Sequence, residues 1–147
     1  MATQQSKQSL YFAHSGVLED LSDGQTLIDH LTSVSEIAGQ NAQWFGADEL
    51  AKYAGLLHDL GKYCPEFLKR LQGGKVRVDH ATAGALVAIE RWPLLTGKLL
   101  AYCIAGHHAG LANGIDKGQK RSTLNERLKL KPGKDIPNLD PVWQQEI

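Results

Sequence analysis

The sequence predicts an all-α fold, a compact bundle of several helices within one domain. Apolar residues recur at the spacing of helices that bury one face, and no stretch shows the alternation of a strand. Prolines and glycines separate these periodic stretches, as they do where helices end. At 147 residues the chain has the length of one domain. A chain of that length buries about two-thirds of its unfolded surface in one core.

Local signals place six helices, over residues 26–45, 47–60, 65–71, 80–91, 94–105 and 123–130. Pro65 suits the first turn of the third helix, and Asp79 can cap the fourth. Thr123 and Glu126 form the pattern of a capping box at the start of the sixth. Residues 112–147 are otherwise predicted to be irregular. No closing element is recognised at the C-terminus, so a truncated or abbreviated domain is expected.

The composition is that of an ordinary soluble protein. Hydrophobic residues make up 42% and charged residues 22%, and the formal net charge is zero, so no overall field attracts nucleic acid or an anionic membrane. The two cysteines, Cys64 and Cys103, form no C-x-x-C pair, which favours a reducing compartment. Neither a signal peptide nor a membrane-spanning stretch is recognised. We expect a cytoplasmic monomer without a membrane partner.

The adjacent pair His58 and Asp59 ends the second predicted helix and is the most informative stretch of the chain. Gly55 lies one turn earlier, which is expected to leave room for an ion or a substrate beneath both side chains. Gly61 suits the left-handed position that ends a helix, and Lys62 would then be a cation close to the pair. The interpretation is a metal-binding pair, and the alternative is a hydrogen-bonded pair in the core.

Four further histidines fall where predicted helices begin or end: His30, His80, His107 and His108. Each of them alone could be a core or surface residue, and His14 is interpreted as structural, with a substrate-facing role as the alternative. Together with the pair, however, they exceed the ligands that one tetrahedral ion needs, so two divalent ions are predicted. Mixed imidazole and carboxylate ligands favour manganese, iron, cobalt or nickel, with magnesium and zinc as alternatives.

Such a ligand set points to phosphoester hydrolysis. Asp59 is the expected bridge, because a carboxylate has two oxygens and a neutral imidazole offers one lone pair. Two cations about 4 Å apart clamp the attacking and leaving oxygens of a phosphate displacement. Asp59 and Lys62 are therefore the predicted catalytic residues, and Lys62 would hold a non-bridging phosphate oxygen.

The stretch 117–134 is strongly basic and is predicted to follow a phosphate backbone. Lys120, Arg121 and Arg127 are its candidate DNA-binding residues. The alternative is a solvated loop with no ligand.

The order His30, His58-Asp59, His80 resembles the HD superfamily of metal-dependent phosphohydrolases, which are all-helical bundles with the metal site at their centre. Within it, residues 57–67 (LHDLGKYCPEF) and 105–111 (AGHHAGL) look like the HD nuclease domain of the CRISPR-associated helicase-nuclease of type I systems. The triplet at 13–15 (AHS) looks like that family's N-terminal motif. The resemblance covers about residues 10–112.

This resemblance implies a metal-dependent nuclease, cutting single-stranded DNA first internally and then from its ends, in CRISPR interference and antiviral defence. It also implies two partners, a superfamily 2 helicase domain or subunit and a guide-RNA surveillance complex. By the resemblance, one metal would be held by His30, His58 and Asp59. The other would be held by His80, His107 and His108, with Asp59 bridging the two ions.

One departure from the family pattern concerns an aspartate that usually follows the double histidine. Asp116, Asp135 and Asp140 are available, but none lies in a recognisable motif. We therefore expect the first metal site to be incomplete, weakly occupied or completed from elsewhere. Two alternative functions follow: an HD-type nucleotide phosphohydrolase or cyclic-dinucleotide phosphodiesterase, and a catalytically defective interaction module. The Gly-Tyr-Pro signature of the cyclic-dinucleotide branch is missing after the double histidine.

Overall fold

The fold is a bundle of α-helices, as the periodicity predicted. The computed structural model of the chain describes residues 11–18, 21–114 and 122–147. Within them no strand forms, and the β-type pairing consists of two isolated bridges. In chain order the helices are α1 (Leu27–Ala42), α2 (Asp48–Leu57), α3 (Pro65–Leu71), α4 (Ala81–Arg91), α5 (Leu94–Gly106), α6 (Leu124–Arg127) and α7 (Trp143–Glu146). Two 3-10 turns lie between them, Gln43–Phe45 and Leu60–Lys62.

Two helix pairs share one core. The first pair is α1 against α2 and the second is α4 against α5, and α2 also contacts both helices of the second pair. Burying one large aliphatic side chain of this core stabilises the fold by about 2 kcal/mol. The largest buried side chains of this core are Tyr63, Leu27, Leu31, Leu57, Leu60, Leu100, Ile104 and Leu124.

Helix boundaries follow their capping signals. Pro65 occupies the first turn of α3. Oδ1 of Asp79 accepts hydrogen bonds from the amides of Ala81 and Thr82 and so caps α4. The capping box that opens α6 is formed as predicted, because the Thr123 side chain and the Glu126 side chain each bond the other's backbone amide.

Two glycines differ from their predicted roles. A Cβ on Gly55 would lie 2.6 Å from the Cα of Ser35, so α1 fills the space in which an ion or substrate was expected. Gly61 does not take a left-handed conformation but lies in the second 3-10 turn, because α2 ends at Leu57 rather than at residue 60. Its amide donates to the carbonyl of His80 (3.0 Å), and a Cβ there would come within 2.3 Å of that oxygen. Gly61 therefore lets the start of α4 dock on the His-Asp pair.

The C-terminal residues form a short helix, α7, where no closing element was predicted. The hydroxyl of Tyr63 donates to a carboxylate oxygen of Glu146 (2.7 Å), and Trp143 and Ile147 pack against the core. A single helical turn is too short to show periodicity, which explains why the sequence did not reveal it. None of the helices in the described part of the chain combines the length and the hydrophobicity of a membrane span.

Candidate metal centre

The ends of four helices bring the six predicted ligands together. His30 lies in the first turn of α1, His58 and Asp59 follow directly on α2, His80 precedes α4, and His107 and His108 follow α5. Their ligand atoms form two groups, and within each group all atoms lie within 4.8 Å of one another. The first group is His30, His58 and Asp59, and the second is Asp59, His80, His107 and His108. The aspartate is common to both.

The two carboxylate oxygens of Asp59 face different histidines. Oδ2 lies 3.4 Å from Nε2 of His30 and 3.2 Å from Nε2 of His58. Oδ1 lies 3.5 Å from Nε2 of His80 and 3.3 Å from Nε2 of His107. The residue is 3% exposed. This arrangement allows one buried carboxylate to serve two cations.

Backbone carbonyls orient three of the imidazoles. Nδ1 of His58 lies 2.7 Å from the carbonyl oxygen of Gly55, and Nδ1 of His107 lies 2.7 Å from that of Ile104. Nδ1 of His80 lies 3.2 Å from the carbonyl oxygen of the residue two before it. A carbonyl oxygen only accepts, so in each case Nδ1 carries the proton and donates it. The lone pair of a neutral ring then lies on Nε2, which faces Asp59, as metal-binding histidines are commonly oriented.

The donor set fits divalent cations. Oδ1 of Asp59 and Nε2 of His107 are buried and have no hydrogen-bond partner among the described residues. Both atoms are acceptors, and leaving such atoms buried and unpaired costs about 1–3 kcal/mol each. A further close contact joins Nε2 of His80 and Nε2 of His108 at 2.8 Å. A cation bound by Oδ1 of Asp59 and Nε2 of His107 would satisfy both of these acceptors, and imidazole with carboxylate is a ligand combination that transition metals accept.

Burial favours the neutral, metal-binding form of three of the histidines but not of His58, whose pKa is raised by its contact with Asp59 although burial alone would lower it. Burial lowers the pKa of His30, His80 and His108, which favours the neutral rings. Burial alone would raise the pKa of Asp59. The Lys62 ammonium, whose Nζ lies 2.8 Å from Oδ2, opposes this effect and favours the ionised carboxylate, and the pKa of this carboxyl lies below its usual range.

The predicted cation Lys62 is bound to the pair rather than free beside it. Its Nζ lies 2.8 Å from Oδ2 of Asp59 and donates to the carbonyl of Ala13 (2.8 Å). The side chain is 5% exposed and its Nζ lies 5.1 Å from the centre of the Phe67 ring. Lys62 is therefore the counterion of the Asp59 carboxylate in this structure. Its contact with a phosphate oxygen stays a prediction.

His14 lies closer to the centre than the sequence indicated. The residue is exposed, and its ring stands edge-on to that of His30, with 5.2 Å between the ring centres. Its position depends on the isolated bridge between Phe12 and Thr26, which brings the N-terminal segment alongside the start of α1. The only sequence signal for it was the short motif around residue 14.

Arg127, a candidate DNA-binding residue, forms hydrogen bonds within the protein. Its guanidinium donates to the hydroxyl of Thr82 (2.7 and 2.9 Å) and to the carbonyl of Ala105, and lies 3.4 Å from Oδ1 of Asp79. These internal bonds tie α6 to the start of α4 and the end of α5. The side chain thus connects the segments that carry three of the candidate metal ligands, and its contact with DNA stays a prediction. Lys120 and Arg121 lie outside the described residues.

No downstream aspartate joins either ligand group among the described residues. Oδ2 of Asp135 accepts the amide of Lys131 (2.9 Å), and Oδ2 of Asp140 accepts the hydroxyl of Tyr11 (2.8 Å). Asp116 lies outside the described residues. The first group therefore consists of two imidazoles and one carboxylate.

The chain matches a known protein family and several curated proteins. The HD domain family model matches residues 27–137. The chain is 55% identical over 135 residues to Ribonuclease Y of Alkaliphilus metalliredigens, covering 78% of this chain and 26% of that protein. It is 39% identical over 86 residues to Ribonuclease Y of Clostridium tetani, covering 58% of this chain and 14% of that protein. For Ribonuclease Y of Acetivibrio thermocellus the identity is 31% over 122 residues, covering 72% of this chain and 21% of that protein.

The chain thus spans about a quarter or less of the curated relatives it matches. Their shared name is that of a ribonuclease. The finer resemblance to a CRISPR-associated DNA nuclease, with its role in antiviral defence, receives no support from them.

Proposed function

The chain belongs to the HD domain family, and from this premise we propose that it hydrolyses phosphodiester bonds of single-stranded nucleic acid at a centre of two divalent metal ions. The observation that carries the proposal is the sharing of Asp59 between two groups of imidazoles. One carboxylate between two ligand groups is the arrangement that a two-metal hydrolase needs.

The residues of the chain divide the work. His30 and His58 would hold one ion against Oδ2 of Asp59, and the second group would hold the other against Oδ1. The two ions would supply hydroxide near neutral pH and offset the charge that develops on the phosphate. Lys62 keeps the bridging carboxylate ionised and in place through its contact at 2.8 Å. Because Asp59 and Lys62 are both buried, the carboxylate cannot rotate away into water.

Single-stranded DNA is the first candidate substrate. Its support is the resemblance of the segments 57–67 and 105–111 to the CRISPR-associated HD nuclease domain, and the position of His14 beside the first ligand group adds to it. A helicase and a guide-RNA complex would be partners only if DNA is the substrate, because such a nuclease needs strands that another protein has separated.

RNA is the second candidate, favoured by the name that the three relatives share. An HD-type nucleotide phosphohydrolase is also compatible with the ligand set. Metal ions held by the two ligand groups would act on a phosphate and would not distinguish between bases. The three candidates differ in substrate and not in the metal centre.

The test is the cleavage of circular single strands by metal-stripped protein. Circles of DNA and of RNA are supplied separately with manganese, iron(II), cobalt, nickel, zinc or magnesium. A circle has no ends, so its loss reports internal cutting alone. Asp59→Ala should abolish cutting, whereas Glu90→Ala, which removes an exposed carboxylate on α4, should not.

The preferred circle identifies the substrate. Cutting of neither circle with any metal, in protein that binds metal, would contradict the proposal. Free nucleotides would then be the next substrates, and their hydrolysis would favour the phosphohydrolase. Absence of all hydrolysis would favour a defective interaction module.

A further inference from the structure

We infer that Arg70 and Arg77 form a phosphate-binding site on the wall of a groove that leads into the metal centre, where they hold the nucleic-acid strand beside the bond that is cut. The inference rests on the proposed function and names the part of the chain that receives the strand. Arg70 lies in the last turn of α3, and Arg77 lies in the segment that joins α3 to α4.

The first observation is a shared cleft. A cleft of about 570 Å³ is lined by Arg70, Arg77, His80 and His108, together with two residues between the second arginine and the first histidine. Two of its lining residues are metal ligands of the second group. A strand bound to these ligands would therefore have its neighbouring phosphates within the same cleft as the arginines.

The second observation concerns charge. Both arginines are exposed, and neither takes part in an ion pair among the described residues. Asp79 is the acidic residue of the cleft, and its carboxylate is already engaged by the amides at the start of α4 and by Arg127. The two guanidinium groups are thus available to phosphate, to which their planar donors bind in pairs.

A second cleft adjoins the first. It has a volume of about 530 Å³ and shares Asp79 and His108 with the first. Its wall includes Leu111, which is 74% exposed, and Leu130. An apolar wall suits the face of a base, and a charged wall suits the backbone. The groove thus offers both surfaces that a single strand presents.

Arg70 and Arg77 differ from Arg127, which the sequence suggested as a residue that contacts the phosphate backbone of the nucleic acid. Arg127 is bound internally, whereas Arg70 and Arg77 face a cleft that contains ligands. Six residues, Gly73 and Gly74 among them, separate the arginines in the sequence, and Lys69 and Lys75 lie next to them in the same basic stretch.

Binding is the first arm of the test. A fluorescein-labelled single strand of about 12 nucleotides, as DNA and as RNA, is titrated with wild-type protein and with Arg70→Ala/Arg77→Ala, and anisotropy is recorded at several salt concentrations. Loss of two phosphate contacts should weaken binding about tenfold and reduce the salt slope by about 1.4. Arg70→Lys/Arg77→Lys should restore part of the affinity and the full slope, because the charge is kept.

Lys98→Ala is the matched control. It removes an exposed cation from α5 nine residues before His107, which places it about 14 Å along the helix from the ligand. This variant should bind as the wild type does. If the double arginine variant also binds as the wild type does, the inference is overturned.

Hydrolysis is the second arm and separates the groove from the metal centre. Bis(p-nitrophenyl) phosphate is a small diester that does not extend to the arginines, so the double variant should hydrolyse it with unchanged kcat/KM. The KM for the oligonucleotide should rise about tenfold at an unchanged kcat, in line with the loss of affinity. An equal loss on both substrates would mean that the arginines act on the ligand geometry, which overturns the inference. If the wild type hydrolyses neither substrate but the double variant still binds the strand more weakly, the proposed function is wrong. The inference that the two arginines bind the strand is then still supported.

Discussion

Oδ1 of Asp59 and Nε2 of His107 lie 3.3 Å apart in a buried site, and neither atom has a hydrogen-bond partner in the described part of the chain. The proton of His107 is on Nδ1, which donates to the carbonyl of Ile104. Two lone pairs therefore face each other, which is unfavourable unless a cation lies between them. A cation bound at this contact would therefore stabilise the fold.

The two ligand groups should lose their ions independently. His30→Ala removes one of three ligands from the first group, and His108→Ala removes one of four from the second, so each should release one ion. Asp59→Asn should release both, because it is common to both groups. Mutation of a residue that hydrogen-bonds a metal ligand lowers metal affinity about 10–100-fold, so removal of the ligand itself should lower it at least as much. Metal content per chain, measured by mass spectrometry after gel filtration, checks this prediction.

A matched variant for that experiment is Asp29→Asn, which changes an exposed carboxylate in the first turn of α1 next to His30. It should keep the metal content of the wild type. Release of both ions by His108→Ala alone would show that the groups do not act separately.

Metal removal should lower the stability of the protein. An ion present at a hundred times its Kd stabilises the native state by about 2.7 kcal/mol. Treatment with a chelator should therefore lower the Tm, and each added ion should restore it, as scanning calorimetry can record. Asp59→Asn protein, which lacks the shared ligand, should show the same Tm with and without chelator. If the chelator leaves the Tm of the wild type unchanged, this would argue against a bound metal.

Arg127→Ala should destabilise the fold, because it unpairs groups on two helices that carry metal ligands. The guanidinium binds the hydroxyl of Thr82 and the carbonyl of Ala105, two positions from His80 and His107. Bonds to a charged, largely buried donor are worth about 1.5–3 kcal/mol, so a loss of about 3 kcal/mol in the free energy of unfolding is expected. Urea denaturation measures it.

Lys129→Ala is the control for that loss, because it removes an exposed cation two residues further on. Its effect should stay within about 0.5 kcal/mol. If Arg127→Ala lowers the free energy of unfolding as little as Lys129→Ala does, the hydrogen bonds of Arg127 contribute nothing to stability. A drop in metal affinity together with the loss of stability would show that the hydrogen bonds of Arg127 also position the ligands.

The two cysteines should react at different rates. Cys64 is fully buried, and burial raises the pKa of its thiol to about 11, whereas Cys103 is exposed on α5. The thiolate is the reactive form, so in native protein one thiol per chain should react rapidly with a disulfide reagent. Cys103→Ser should remove the rapid phase, and denaturant should expose the second thiol. Two rapid phases in native protein would show that the segment after Lys62 opens.

Several features of the fold were predictable because they depend on local sequence. The spacing of apolar residues predicted α1 and α2, Asp79 predicted the start of α4, and the pattern at Thr123 predicted α6. These signals act within a few residues, so no knowledge of the tertiary fold is needed to read them. The short helix α7 was not predicted, because a single turn is too short to show a helical period.

The types and number of candidate ligands were also predicted from the sequence alone, because the His-Asp pair and the four histidines near predicted helix ends can be recognised there. Only the tertiary structure decided how they are arranged: that Asp59 turns one oxygen to each group, that Gly61 provides contact with His80, and that Arg127 faces inward while Arg70 and Arg77 line a groove. Each of these depends on contacts between residues distant in the chain. Side-chain direction across such contacts is set by the packing of whole helices, which no local pattern encodes.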